Sequence, residues 1–227
     1  MRIVTTARIA GLLYMIVVAT GMFSLAYVPS QIMVDGDMAA SIRNIAAQEA
    51  LFRAGIAAGI VCYLAFLLLP VALHRLLEPA GPLAARLMLL FAVVSVSMAL
   101  LNLGRRLDML RAIEAGAAVP DVAAIAGAYS SGMMMVQIFW GLWLLPLGYL
   151  IVRAAPIPRL LGVLLILGCL GYLVRVAVFV LAPELGSAAW MQFVPLPAAA
   201  GEIGTALWLL IAGARPCAPL DHPAPSS

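Results

Sequence analysis

A chain of 227 residues that is 65% hydrophobic and only 10% charged, with a mean hydropathy of +1.12, lies far outside the soluble averages of roughly 45–50% and 25%. Its natural solvent is a lipid bilayer. All 13 basic residues are arginine and the only histidines are His74 and His222, which excludes a P-loop lysine, a Schiff-base lysine and a multi-histidine metal site. The formal charge of +3 is scattered, with no basic stripe to neutralise a row of phosphates, so nucleic acid is excluded as a partner.

A spanning helix needs about 20 mostly apolar residues. Six stretches meet that length, 7–28, 51–74, 84–103, 132–152, 160–182 and 194–214, giving an all-α, polytopic, six-helix transmembrane bundle in one domain over 1–214. The Pro-rich polar tail 215–227 is expected to be disordered and cytoplasmic. The basic start and Ser24-Leu25-Ala26 also resemble a secretory signal, but the apolar run is longer than a signal core, which favours a retained helix.

An even number of spans puts both termini on one side. One face carries Arg2, Arg8, Arg75, Arg86, Arg153, Arg159 and Arg215 against Glu78 and Asp221. The other carries Arg43, Arg53, Arg105, Arg106 and Arg111 against Asp35, Asp37, Glu49, Asp108, Glu114, Asp121 and Glu184. Basic short loops stay inside, so both termini are expected to be cytoplasmic.

The outer connections carry helical signals. Asp37 is placed to N-cap a short interfacial helix in which Met38, Ile42 and Ile45 recur. In the second connection Leu107, Leu110 and Ile113 alternate with Arg106, Asp108, Arg111 and Glu114, Gly116 and Pro120 end that helix, and Asp121 is set to cap the next; both outer segments also read as solvated extensions of the spanning helices. The inward turns at 78–83 and 153–159 are short, which makes spans two and three, and four and five, antiparallel neighbours. Pro70 and Pro146 free the carbonyls of Phe66 and Leu142 and are expected to kink spans two and four. Gly55 and Gly59 form a small-xxx-small pair, a weak signal for close helix approach.

Arg175 and Glu202 carry the functional argument, because a charge at the bilayer centre costs about 2.5–3.5 kcal/mol and needs a partner or a wet cavity. Arg175 lies 14 residues before Ala189 and Glu202 lies 13 after it, so a hairpin sets them at similar depth and a salt bridge is expected, first as a staple between the last two spans and second as a group that handles protons or contacts a ligand. Asn102, Gln137, Arg53 and Arg105 fall in the same half of the membrane. Together the six residues suggest a ligand cavity open to the outside, suited to an anionic or carbonyl-bearing guest; lipid headgroups explain Arg53 and Arg105 equally well. His74 reads as an interfacial side chain. Cys62, Cys169 and Cys217 show no C-x-x-C spacing and read as small hydrophobes. Ser95 and Ser97 lack an activating base. Tyr149 and Trp190 fit interfacial anchors, and Trp140 and Trp143 fit packing positions.

The stretch Phe139-Trp140-Gly141-Leu142-Trp143-Leu144-Leu145-Pro146-Leu147-Gly148-Tyr149-Leu150, followed by Pro158-Arg159-Leu160-Leu161-Gly162 and Gly171-Tyr172-Leu173, resembles the domain of unknown function 4386 family. Arg8-Ile9-Ala10-Gly11-Leu12-Leu13-Tyr14, Leu51-Phe52-Arg53, and Gly201-Glu202 with Trp208-Leu209-Leu210 extend the likeness to nearly the whole chain. The resemblance implies a bacterial multi-spanning protein of the cytoplasmic membrane and no established activity. Two departures stand out: family members often carry an acid shortly after Gly-Tyr-Leu, where this chain has Val174 and Arg175, and another where it has Gly59.

The leading reading is a non-enzymatic bundle that binds, senses or moves a small amphiphile or anion. An accessory subunit packing against a second copy or a partner membrane protein is the alternative, and an intramembrane enzyme using Glu202 is third. Membrane lipids are the expected surroundings, and neither a cofactor nor a metal is implied.

Overall fold

The computed structural model describes residues 3–154 and 157–213. Arg2, Arg215, Asp221, Cys217, His222 and the tail 215–227 therefore lie outside the described residues. No strand occurs among those described. Six helical spans are long and apolar enough to cross a membrane. The first joins α1 (Ile3–Met22), a π-helical turn (Phe23–Tyr27) and α2 (Val28–Ile32); α3 (Met38–Ala47) is short. The others are built on α4 (Glu49–Leu77), α5 (Pro82–Glu114), α6 (Val119–Ala154), α7 (Arg159–Leu181) and α8 (Leu196–Ile211).

Each long helix packs on its neighbours in the chain, and α1 closes on α8, so the six spans form a ring. The short turns account for the antiparallel neighbours, but the α1–α8 closure is fixed by side-chain size. A Cβ on Gly11 would sit 2.5 Å from the backbone nitrogen of Leu210, so only glycine permits this approach. Aromatic side chains fill the interior. Trp143, 1% exposed, stacks edge-on against Phe66 at 4.8 Å and lies 5.9 Å from Tyr14. Trp140 stands 6.4 Å from both Tyr63 and Tyr172. The outer surface is apolar, with Leu12, Leu64, Leu101, Leu181 and Ile211 among its exposed residues, as lipid solvation allows.

Local signals set the ends. The carboxylate of Asp37 accepts from the amide of Ala40 at 2.8 Å and caps α3. Gly116, at φ +70°, ends α5 in a Schellman turn: its amide reaches Ile113 at 3.0 Å and that of Ala117 reaches Ala112 at 2.9 Å. Two expectations need correction. The second connection holds no separate interfacial helix and is instead the helix extension, because α5 runs unbroken through Arg106 to Glu114. Asp121 does not precede the next helix either; it lies in the first turn of α6, which starts at Val119, where a carboxylate still favours the positive end of the helix dipole.

Candidate functional site

The π turn prepares one wall of the site. The amide of Val28 bonds the carbonyl of Phe23, five residues back, and in that register the donor owed to Ser24 is residue 29. That residue is proline, which has no N–H. Arg106 supplies the missing donor from across the bundle. Its Nη1 donates to the Ser24 carbonyl at 3.1 Å and to Ser24 Oγ at 3.3 Å, while Ser24 Oγ donates to the Gly55 carbonyl at 2.7 Å. Gly55 and Gly59 make this contact possible, since a Cβ would meet Val28 at 3.0 Å on the first and Ser24 Oγ at 3.1 Å on the second.

Arg106 is only 4% exposed. Its guanidinium lies 4.9 Å from the ring centroid of Phe52 and 5.8 Å from that of Tyr129, and it forms no ion pair among the described residues. A guanidinium carries five N–H donors; the hydrogen bonds to Ser24 occupy one nitrogen, and the Tyr129 side chain is a further hydrogen-bond partner. Arg106 lines a cavity of about 450 Å³ together with Arg175, Gln137, Tyr129, Ser130 and Tyr172. Among the described residues, no carboxylate lines it. Gln137, 6% exposed, offers only a weak 3.5 Å contact to the sulfur of Met134, and its carbonyl oxygen has no partner.

A second cavity, of about 460 Å³, adjoins the first through the shared residues Leu25, Trp140 and Tyr172. Glu202 lies here, among Tyr14, Tyr63, Phe66, Trp140, Trp143 and Tyr172. Its Oε1 accepts a hydrogen bond from the Tyr14 hydroxyl at 3.2 Å.

The expected salt bridge between Arg175 and Glu202 is therefore absent. Residue counting sets depth, but a helix turns by about 100° per residue, and that rotation separates the two groups. Gly201 faces α7, where a Cβ would lie 3.0 Å from Leu165, so Glu202 is swung toward α1 and meets Tyr14. Arg175 lines the other cavity. Because the two charges share no hydrogen-bond or ion-pair partner, Arg175→Met and Glu202→Met are expected to add in their effects on stability to within about 0.5 kcal/mol. Thermal or chemical unfolding of both single variants and the double in one detergent measures that coupling, and an interaction above about 2 kcal/mol would restore the pair.

The remaining sequence candidates are dispersed. Gln137 joins Arg175 in the cationic cavity. Asn102 serves the α5–α6 contact: its Nδ2 donates to the Tyr129 carbonyl at 3.0 Å, and its Oδ1 presses on Gly132, where a Cβ would come within 2.1 Å. Arg53 is exposed and bonds two carboxylates, Glu49 at 2.5 Å and Glu114 at 2.8 Å. Arg105 is exposed and lines neither cavity. Ser95 and Ser97 bond carbonyls of their own helix, those of Ala92 and Val93. Cys62 and Cys169 are buried and free, and His74 lies 3.8 Å from Glu78.

Sequence reasoning missed Arg106, assigning it to a solvated face. The signal was there: Ala92, Ser95, Val96, Ala99, Asn102, Leu103, Arg106, Met109 and Leu110 are all buried at helical spacing on α5, so extending the phase of the third span past Leu103 puts Arg106 inside.

No curated protein and no solved structure matches this chain. A family model described as Domain of unknown function (DUF4386) matches residues 9–213, a stretch that takes in both cavities and every long helix. The chain is a multi-pass membrane protein of the DUF4386 family.

Proposed function

We propose that this protein binds, and senses or moves, a small amphiphile whose anionic or carbonyl head is held by Arg106 and Arg175. The observation that carries this reading is Arg106: a buried guanidinium, bonded to the neutral groups of Ser24 and Tyr129 and facing a cavity lined by a second arginine and, among the described residues, by no acid. Burying a charge without a counter-ion costs several kcal/mol. A site that keeps one so placed is suited to an anion arriving from outside, and guanidinium donors match the planar carboxylate or tetrahedral phosphate group. The aliphatic side of the cavity, with Leu25, Val28, Met109, Met133 and Met134, suits a flexible apolar tail.

In this reading both termini are cytoplasmic, in the cytoplasmic membrane of a bacterium. The cavity lies toward the end of the bundle that carries Glu49, Arg53 and Glu114, and so faces outward.

Oleate is a suitable probe, with oleyl alcohol as its uncharged counterpart. In a neutral detergent the full-length protein is expected to bind oleate saturably, and Arg106→Gln or Arg175→Gln each to weaken binding roughly 10-fold, the worth of one charge-assisted hydrogen bond. Native mass spectrometry counts the bound chains. Equal affinity for the alcohol and the acid in the wild-type protein would remove the basis of the proposal.

A further inference from the structure

The second cavity is built with the opposite chemistry. Among the described residues, Glu202 is the one acidic residue lining it, and no arginine or histidine lines it. Its walls carry six aromatic side chains: Tyr14, Tyr63, Phe66, Trp140, Trp143 and Tyr172. They are held as two linked sets, Phe66–Trp143–Tyr14 and Tyr63–Trp140–Tyr172, with centroid separations between 4.8 and 6.4 Å. The pairing is anchored by sequence, since Trp140 and Trp143 stand three residues apart on one face of α6.

Aromatic faces attract cations through their quadrupoles, and the attraction strengthens when the cation is desolvated. A carboxylate that forms no ion pair among the described residues adds a counter-charge. Inorganic cations need several oxygen ligands, and the acidic oxygens here come from a single residue. An organic cation needs none. Met22 of α1 and Ile203 of α8, both exposed and apolar, border the cavity, so it opens on the lipid-facing flank between the helices that close the ring. A ligand entering by that route is itself lipophilic.

We infer that the Glu202 cavity is a binding site for a lipophilic organic cation, a quaternary ammonium, phosphonium or amine with apolar substituents, separate from the arginine-lined site next to it. The inference does not rest on the anionic-head reading, because the charged residues of the two cavities differ.

Tritiated tetraphenylphosphonium tests it on the purified full-length protein in neutral detergent. Saturable binding is expected, weakened at least roughly 10-fold by Glu202→Gln and left within about twofold by Arg106→Gln, a change smaller than one hydrogen bond produces. Monodisperse elution of each variant establishes that it is folded. The wild-type protein alone provides the second arm: triphenylphosphine oxide, a neutral aryl phosphorus compound of similar bulk, is expected not to displace the bound phosphonium. Absence of saturable binding, undiminished binding by Glu202→Gln, or displacement by triphenylphosphine oxide at concentrations where the phosphonium displaces itself would each overturn the assignment. Oleate binding that survives Glu202→Gln but not Arg106→Gln keeps the fates of the two sites distinct.

Discussion

Replacing Arg106 with methionine is expected to leave the melting temperature of the protein in neutral detergent unchanged within a few degrees, or raised, while weakening oleate binding roughly 100-fold. The two effects separate because the guanidinium's local gains and costs are of similar size. Its contacts with Ser24 are charge-assisted and worth about 1.5–3 kcal/mol, and the rings of Phe52 and Tyr129 add about 0.5–2 kcal/mol. Against this stands the several kcal/mol of keeping an uncompensated charge out of water. Methionine removes both sides of that balance. It leaves the Ser24 carbonyl without a donor, at about 1–3 kcal/mol, yet Ser24 Oγ keeps its bond to Gly55 and the thioether fills the vacated volume. An anionic head, by contrast, loses one of two cationic partners and the geometry that orients it. Differential scanning fluorimetry and oleate titration on the same preparation measure both quantities. A fall above about 10 °C, equivalent to about 3 kcal/mol or more in a chain of this size, with oleate affinity intact would make Arg106 a staple between α5 and the π turn instead of a ligand group.

The sequence made the spans legible because lipid demands long uninterrupted apolar helices, and it made two termini legible because Asp37 and Gly116 act through local chemistry. It did not reveal the ring closure. Short turns report which helices follow one another, whereas the contact of α1 with α8 depends on Gly11 meeting the backbone at Leu210, a coincidence of two remote positions. The candidate site was half legible for a related reason. Counting residues along α7 and α8 gives Arg175 and Glu202 a similar expected depth, but azimuth decides which cavity each one enters, and azimuth depends on where Gly201 packs. Arg106 was hidden by a boundary: ending the third span at Leu103 severed it from the phase of Ala99 and Asn102, and an arginine beside Arg105 and Asp108 then read as solvated. The π turn was equally concealed, since Pro29 signals a lost donor without naming the residue that replaces it.

Trp143→Ala is expected to be the most destabilising single substitution in the interior, costing roughly 2–4 kcal/mol. In a soluble core a buried Trp→Ala change costs about 3–5 kcal/mol, a sum of lost transfer from water and a residual cavity. Transfer from water is no part of the reference state here, because an unfolded segment in detergent or lipid still surrounds its tryptophan with hydrocarbon. What remains is dispersion and shape. Trp143 is 1% exposed and reaches across the interior from α6 to two helices that are not its neighbours in the ring, through Phe66 of α4 and Tyr14 of α1, so its loss opens a void that no short turn closes. Leu101→Ala is the matched control: the side chain is 82% exposed on α5, lipid replaces what is removed, and the expected change is within about 0.5 kcal/mol. Unfolding in mixed micelles with increasing dodecyl sulfate, followed by circular dichroism, compares the two. Equal midpoints would mean that the aromatic interior does not bind the ring together. In that event the walls proposed for the organic cation would have to yield around their ligand, and the loss of phosphonium affinity in Glu202→Gln would shrink with the rigidity of those walls.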